Sequence, residues 1–338
     1  MNAGENTLLF LKKFLVLRML LGINISLERK SMRTILLAFA TFILVGFVLA
    51  APVASSATSD GNPQPVTIQG YNGPQEDPII SPDGKYLLFD THTDSGATAS
   101  LYYAERIDYH TFKFIGEVKG VNFPGEMTLR GNYDLSNNFY FISTKFRTSC
   151  GMIAHGVFEN GTVTNVEPLK GLCAPAPPPG EINVTFDVAI TPDGNTLYYD
   201  EVTVNSTGSH GPQSSQIAIA KKNPDGSFTK VSDSASILNS VNAVGALVYN
   251  IAPTPDGLTV FYTAKMPIQG PVTFVASRAS TSMPFQAPER MHETDVSGGN
   301  AQFFFGSSEI GGVSPDGKYI YFHRLLSPTT SQIFVLMR

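Results

Sequence analysis

One turn followed by one strand recurs along this 338-residue chain, and that repetition limits the fold more than any other feature. Ile80-Ser81-Pro82-Asp83-Gly84 runs into KYLLF, and Ile190-Thr191-Pro192-Asp193-Gly194 into NTLYY. Pro253-Thr254-Pro255-Asp256-Gly257 runs into LTVFY, and Val313-Ser314-Pro315-Asp316-Gly317 into KYIYF. A degenerate copy, Leu135-Ser136-Asn137-Asn138 into FYF, lacks the Pro-Asp-Gly. Measured at the Ser or Thr, the intervals are 55, 55, 63 and 60 residues. Pro presets φ at the first corner, Asp bonds the backbone ahead of it, and Gly accepts a positive φ. The apolar run that follows shows no polar alternation, so it is a strand buried on both faces. These sites are therefore turns between two strands, although they look like catalytic motifs.

Further strand-like runs follow each copy: Ser100–Arg106 and Phe112–Val118 after the first, Gln216–Lys221 and Phe228–Val231 after the third, Val272–Arg278 and Glu289–Thr294 after the fourth. Four strands per unit of about 55 residues is the plan of a propeller blade. The expected fold is an all-β propeller of five four-stranded blades over residues 66–338. Its last unit stops after Ile333–Met337, and Val66–Gly70 is expected to complete that blade and close the ring.

Composition agrees with short strands and many turns: Gly 30, Pro 23, Phe 23 and Tyr 13, with 15% charged residues. Charge is unevenly placed. Six of the 23 basic and two of the 28 acidic residues fall in the first 57, which leaves 17 basic against 26 acidic in the body. An acidic body has no footprint for a phosphate backbone, so nucleic acid is excluded as a partner.

Residues 1–57 read as an extension and an export signal, with 58–65 as a linker. Arg29, Lys30 and Arg33 precede the uncharged run Ile35–Ala51, and Ala54-Ser55-Ser56-Ala57 offers a small-residue cleavage site. A start at Met32 would give a signal of ordinary length. The alternative is an uncleaved anchor, the one route by which this chain would meet a membrane. The expected location is secreted or periplasmic. Such a compartment allows Cys150 and Cys173, the only cysteines, to bridge, the alternative being two free thiols.

The Ser-Pro-Asp-Gly-Lys pattern followed by an apolar run ending in Phe resembles the WD-repeat-like propeller repeat of TolB-type periplasmic proteins. Val275–Phe285, continuing through Gln286-Ala287-Pro288-Glu289-Arg290, resembles the second half of that repeat. The resemblance covers most of residues 66–338 and implies the propeller fold. The chain departs from TolB in having five units rather than six and no separate N-terminal domain, so TolB's partners are not carried over.

Four residues before each Ser or Thr stand Asp77, Asn132, Asp187, Asn250 and Ile310. If the strand entering each turn is the innermost of its blade, the polar four line one mouth of the channel, with Glu76 and Glu309 beside them. Acidic oxygens meeting at an axis hold a cation such as Ca²⁺ or a polar ligand. The competing explanation is local, each Asp or Asn capping its own turn. The six histidines show no metal spacing, and neither HExxH nor GxSxG occurs. Asn160-Gly-Thr, Asn183-Val-Thr and Asn205-Ser-Thr are glycosylation sequons.

With no catalytic set in the sequence, the leading expectation is an exported, non-enzymatic binding or scaffold module for a protein or carbohydrate partner. The rival is a glycoside hydrolase. Five-bladed propellers of the arabinanase and invertase type carry three acidic residues in the funnel, the first on the innermost strand of blade one. Asp77 is similarly placed, Asp187 is a second, and Glu201 or Glu309 the acid.

Overall fold

The computed structural model describes residues 61–338 except 93–97, 175, 206–211, 268–269, 296–307 and 328–329. The expected export segment lies outside the described residues. No described helix is long and apolar enough to cross a membrane.

Two short N-terminal strands, β1 (Gln64–Pro65) and β2 (Thr67–Gln69), precede five antiparallel sheets. Blade 1 holds β3 (Glu76–Ile80), β4 (Tyr86–His92), β5 (Ala99–Arg106) and β6 (Thr111–Glu117). Blade 2 holds β7 (Thr128–Tyr133), β8 (Asn138–Ser143), β9 (Ile153–Glu159) and β10 (Thr162–Pro168). Blade 3 holds β11 (Glu181–Ile190), β12 (Thr196–Asn205), β13 (Pro212–Lys222) and β14 (Phe228–Lys230). Two helical turns, α1 (Ser234–Ile237) and α2 (Asn239–Asn242), lead to blade 4, with β15 (Val248–Pro253), β16 (Thr259–Met266), β17 (Gly270–Ser277) and β18 (Glu289–Arg290). Blade 5 holds β19 (Ser308–Val313), β20 (Tyr319–Ser327) and β21 (Thr330–Met337). The fourth strand of blade 4 is shorter than the expected Glu289–Thr294, because His292–Thr294 turns into a 3₁₀ helix.

Ring closure differs from the expected form. Val66–Gly70 does not join blade 5. Gln64 and Pro65 pair antiparallel with Val335 and Phe334 instead, whereas Thr67–Gln69 runs parallel to Thr111–Lys113 at the edge of blade 1. The reason is the register of one short segment. Val66 donates its amide to Ile333 and Thr67 donates to His110, so consecutive residues grip the two blades that meet at the closure. The ring therefore begins at Gln64, inside the expected linker.

The repeated turn works through two side chains. Ser81 donates its hydroxyl to Asp83 (2.7 Å) and accepts the amide of Tyr86 (2.9 Å), while Asp83 accepts the amide of Lys85 (3.0 Å). Gly84 takes φ 72° as its amide returns to the Ser81 carbonyl. Thr191, Thr254 and Ser314 repeat this pattern. In blade 2 a single residue does both jobs. Asp134 accepts the amides of Ser136 (2.8 Å) and Asn138 (3.0 Å), and Asn137 takes the left-handed corner at φ 63°. The anchor of that copy is Asp134, not Ser136.

The core is divided into five apolar clusters, each between two neighbouring blades. Along β4, Leu88 packs toward blade 2, while Leu87 and Phe89 pack toward blade 5. Along β12, Tyr198 faces blade 4, and Leu197 and Tyr199 face blade 2. Alternate residues serve alternate neighbours, which is why the second strands are apolar throughout. Each such side chain contributes about 1.5–3 kcal/mol of burial.

Candidate functional site

Every innermost strand carries one extra residue. The pairing registers of β3, β7, β11, β15 and β19 with their neighbours shift after Glu76, Leu129, Phe186, Tyr249 and Ile310. In four blades the bulged residue is left-handed without being Gly: Asp77 (φ 45°), Arg130 (54°), Asp187 (54°) and Asn250 (53°). Asp and Asn tolerate this region, but Arg does not favour it, so Arg130 marks a backbone held by its surroundings. A bulge re-aims the side chain it carries, here into the ring's centre.

Arg130 is 2% exposed and is the hub of the site. Its Nε lies 2.5 Å from Asp187 Oδ1, and its Nη1 donates to Asp77 Oδ1 (3.0 Å) and to the Ile310 carbonyl (3.2 Å). Burial opposes its charge, but the carboxylates of Asp187, Asp77 and Asp90 outweigh that and push its pKa up, so it is permanently cationic. Asn250 Nδ2 bridges two carboxylates, donating to Glu309 Oε2 (2.8 Å) and Asp77 Oδ1 (3.4 Å). Glu309 accepts a second bond, from the Tyr249 hydroxyl (3.2 Å). Burial and the Glu309 charge push that hydroxyl well above its usual range, which keeps it a donor.

A second ring comes from one register position of the second strands. Asp90, Ile142, Asp200, Thr263 and His323 stand opposite Glu76, Leu129, Phe186, Tyr249 and Glu309. Complete burial and the neighbouring Asp187 push Asp200 well above the usual carboxylate range. Burial also raises Asp187, against the pull of Arg130. Arg130 favours the ionised form of Asp187, whereas nothing comparable offsets the burial of Asp200.

Of the residues expected at the mouth, Asp77, Asp187, Asn250 and Glu309 converge. Asn132 does not. Counting from Asp134, the true anchor, puts Arg130 in the ring and Asn132 two residues further along. There it lines the other end of the channel, an apolar cavity of about 60 Å³ walled by Pro82, Pro192, Pro255 and Pro315 of the turns. The fifth position, Ile310, contributes its carbonyl. Glu201 is also elsewhere: it follows Asp200, points the other way, and binds Lys230 (2.7 Å) and Tyr199 (3.2 Å). Among the described residues no group of His, Cys, Asp and Glu has the geometry of a metal site, and the positive charge between the carboxylates belongs to Arg130.

Cys150 and Cys173 are disulfide-bonded. The bond ties the loop after β8 to the connector before β11. Cys150 O also accepts the amide of Thr185 (3.0 Å), two residues before Asp187. Sequence reasoning missed Arg130, Asp90, Asp200 and His323. The signal for Arg130 was present: Asp can replace Ser as the turn's acceptor, as Asp134 does.

No family model matches the sequence, and no curated protein is similar to it by sequence. Solved structures do share its architecture. A structure described as a glycoside hydrolase aligns with TM-score 0.52 at 10% identity, over 92% of this chain and 95% of that one. Zg3597, a family 117 glycoside hydrolase of the marine bacterium Zobellia galactanivorans, aligns with TM-score 0.52 at 13% identity, over 83% and 90%. TolB from Acinetobacter baumannii aligns with TM-score 0.37 at 10% identity, over 79% of this chain and 55% of that one. At these identities the first two likenesses establish a common fold, and the third carries no argument. Both of the first two are described as glycoside hydrolases, which goes against the expectation of a non-enzymatic scaffold and towards its rival.

Proposed function

We propose that this chain is a glycoside hydrolase whose funnel carboxylates Asp77 and Glu309 cleave a glycosidic bond. The observation that supports the reading is their joint attachment to Asn250 Nδ2, at 3.4 and 2.8 Å. Those two contacts keep the nearest oxygens within about 6 Å of each other, under the roughly 6.5–9.5 Å spacing of inverting glycosidases, which favours the retaining arrangement. Asp77 is ion-paired with Arg130 and is the carboxylate of the pair. Glu309, held by Tyr249 and Asn250, is the second catalytic carboxyl of the proposal and the one that exchanges a proton with the glycosidic oxygen. Arg130, itself held by Asp187, fixes Asp77. The turn repeats shared with TolB-type proteins reflect common turn chemistry rather than common partners. The disulfide and the basic-apolar N-terminus support a secreted or periplasmic setting.

The test is hydrolysis of a panel of aryl glycosides and plant and algal oligosaccharides, followed by proton NMR of the released anomer. Glu309→Gln and Asp77→Asn should each lower kcat about 10²–10⁴-fold while the variants remain folded. A protein that hydrolyses nothing on the panel, or variants as active as the parent, would overturn the reading.

A further inference from the structure

The bulges that carry the funnel residues are fastened from the neighbouring blade. In four of the five blade junctions, the amide of the residue four before the turn's anchor is received by the second-strand ring of the preceding blade. Asp90 of blade 1 accepts the amide of Arg130 in blade 2 (3.0 Å). Asp200 of blade 3 accepts that of Asn250 in blade 4. Thr263 of blade 4 accepts that of Ile310 in blade 5 (3.1 Å). His323 of blade 5 accepts that of Asp77 in blade 1 through Nδ1 (3.2 Å), across the ring closure and 246 residues away in sequence. At the remaining junction Ile142 occupies the equivalent position, and Asp187 instead accepts the amide of Val188 (2.7 Å).

Four side chains of three chemical kinds thus do one job, which shows what the position requires: an acceptor reaching one bond beyond Cγ or at Oγ. A carboxylate and a hydroxyl keep a lone pair for the amide at any ordinary pH. An imidazole does so only when neutral and protonated on Nε2. We propose that His323 is the positioning residue for Asp77, that its unprotonated Nδ1 holds the bulge that aims the Asp77 carboxylate at Arg130 and Asn250, and that protonation of Nδ1 releases it. The activity readout rests on the glycosidase reading; the latch itself does not.

Protonation would set two N–H groups face to face and leave an imidazolium 4.0 Å from Asp77 Oδ1. The carboxylate would then turn to His323 and abandon Arg130 and Asn250, so the bulge and its side chain move together. The groups facing the imidazole are known from every strand packed on it. Asp77 and Glu76 lie on β3, Glu309 stands opposite His323 on β19, and Ser331 of β21 donates to Glu76 (2.9 Å). Arg130 reaches Asp77 from β7.

The experiment combines ¹⁵N NMR of the imidazoles with two variants. His323→Asn places Oδ1 where Nδ1 stands and cannot titrate; His323→Leu removes the acceptor. In the parent, the resonance lost in both variants should report the Nε2–H tautomer, and the Asp77 amide should shift as that ring titrates. On a hydrolysed glycoside, His323→Leu should lose roughly 10–100-fold in kcat at neutral pH, the scale of a 1 Å misplacement. His323→Asn should recover most of that loss and move the acid limb of the pH profile to lower pH. An Nδ1–H tautomer, an Asp77 amide indifferent to the titration, or a His323→Asn profile with the parent's acid limb would overturn the proposal. If no glycoside is hydrolysed while the tautomer and the amide shift are as stated, the glycosidase reading fails and the latch stands.

Discussion

Replacing Arg130 by Met tests the centre of the site. Met fills a similar volume but removes the cation from two carboxylates, Asp187 at 2.5 Å and Asp77 at 3.0 Å, and a donor from the Ile310 carbonyl. Asp187 is fully buried and keeps a single amide donor, from Val188. Breaking a buried pair by removing one partner costs about 3–5 kcal/mol, and the second carboxylate puts this case at the upper end. For a domain of this size, about 4–5 kcal/mol lowers the unfolding midpoint by roughly 8–20 °C. The pH dependence gives a sharper signature. Without its cation, Asp187 rises further above its unfolded value. A group raised in the folded state contributes stability that is complete below the unfolded pKa and lost as pH rises through the folded one. The deficit of Arg130→Met should therefore be larger at pH 8 than at pH 5. Calorimetry at both pH values measures this. The double variant Arg130→Met, Asp187→Asn should recover at least half of the loss, because the fully buried carboxylate no longer carries an unpaired charge. A cost under about 1 kcal/mol, a deficit that grows on acidification, or strict additivity in the double variant would refute the reasoning.

Asp200→Asn should act in the opposite sense. Asp200 is raised well above the usual range by burial and by Asp187, so its contribution is present below about pH 4 and lost as pH rises through the folded value. The Asn keeps an acceptor for Asn250 and stays neutral, so calorimetry should find the variant more stable than the parent at pH 8 and similar near pH 4. Reducing the Cys150–Cys173 bond, or the double Ser variant, should cost about 3 kcal/mol by the chain-entropy model for its loop. Denaturant unfolding measures that cost, and mass mapping should find both thiols alkylated only after reduction.

What the sequence by itself determined is the blade and the number of blades. Ser, Pro, Asp and Gly act within five residues of one another, so their chemistry forms the same turn wherever they recur, and five recurrences of a strand buried on both faces leave the propeller as the outcome. Asp77, Asp187, Asn250 and Glu309 were legible for the same reason, since each lies a fixed distance from a turn. The degenerate copy misled the count, placing Asn132 where Arg130 stands, because an Asp had taken over the work of Ser and the spacing moved by two residues. Only the tertiary structure decided the rest. Asp90 meets Arg130 across 40 residues and His323 meets Asp77 across 246, and no periodicity within one blade specifies what the next blade presents to it. The closure is of the same kind. Whether Val66–Gly70 joins the last blade or the first depends on how two finished blades abut, which is fixed by their packed side chains and not by the five residues that connect them.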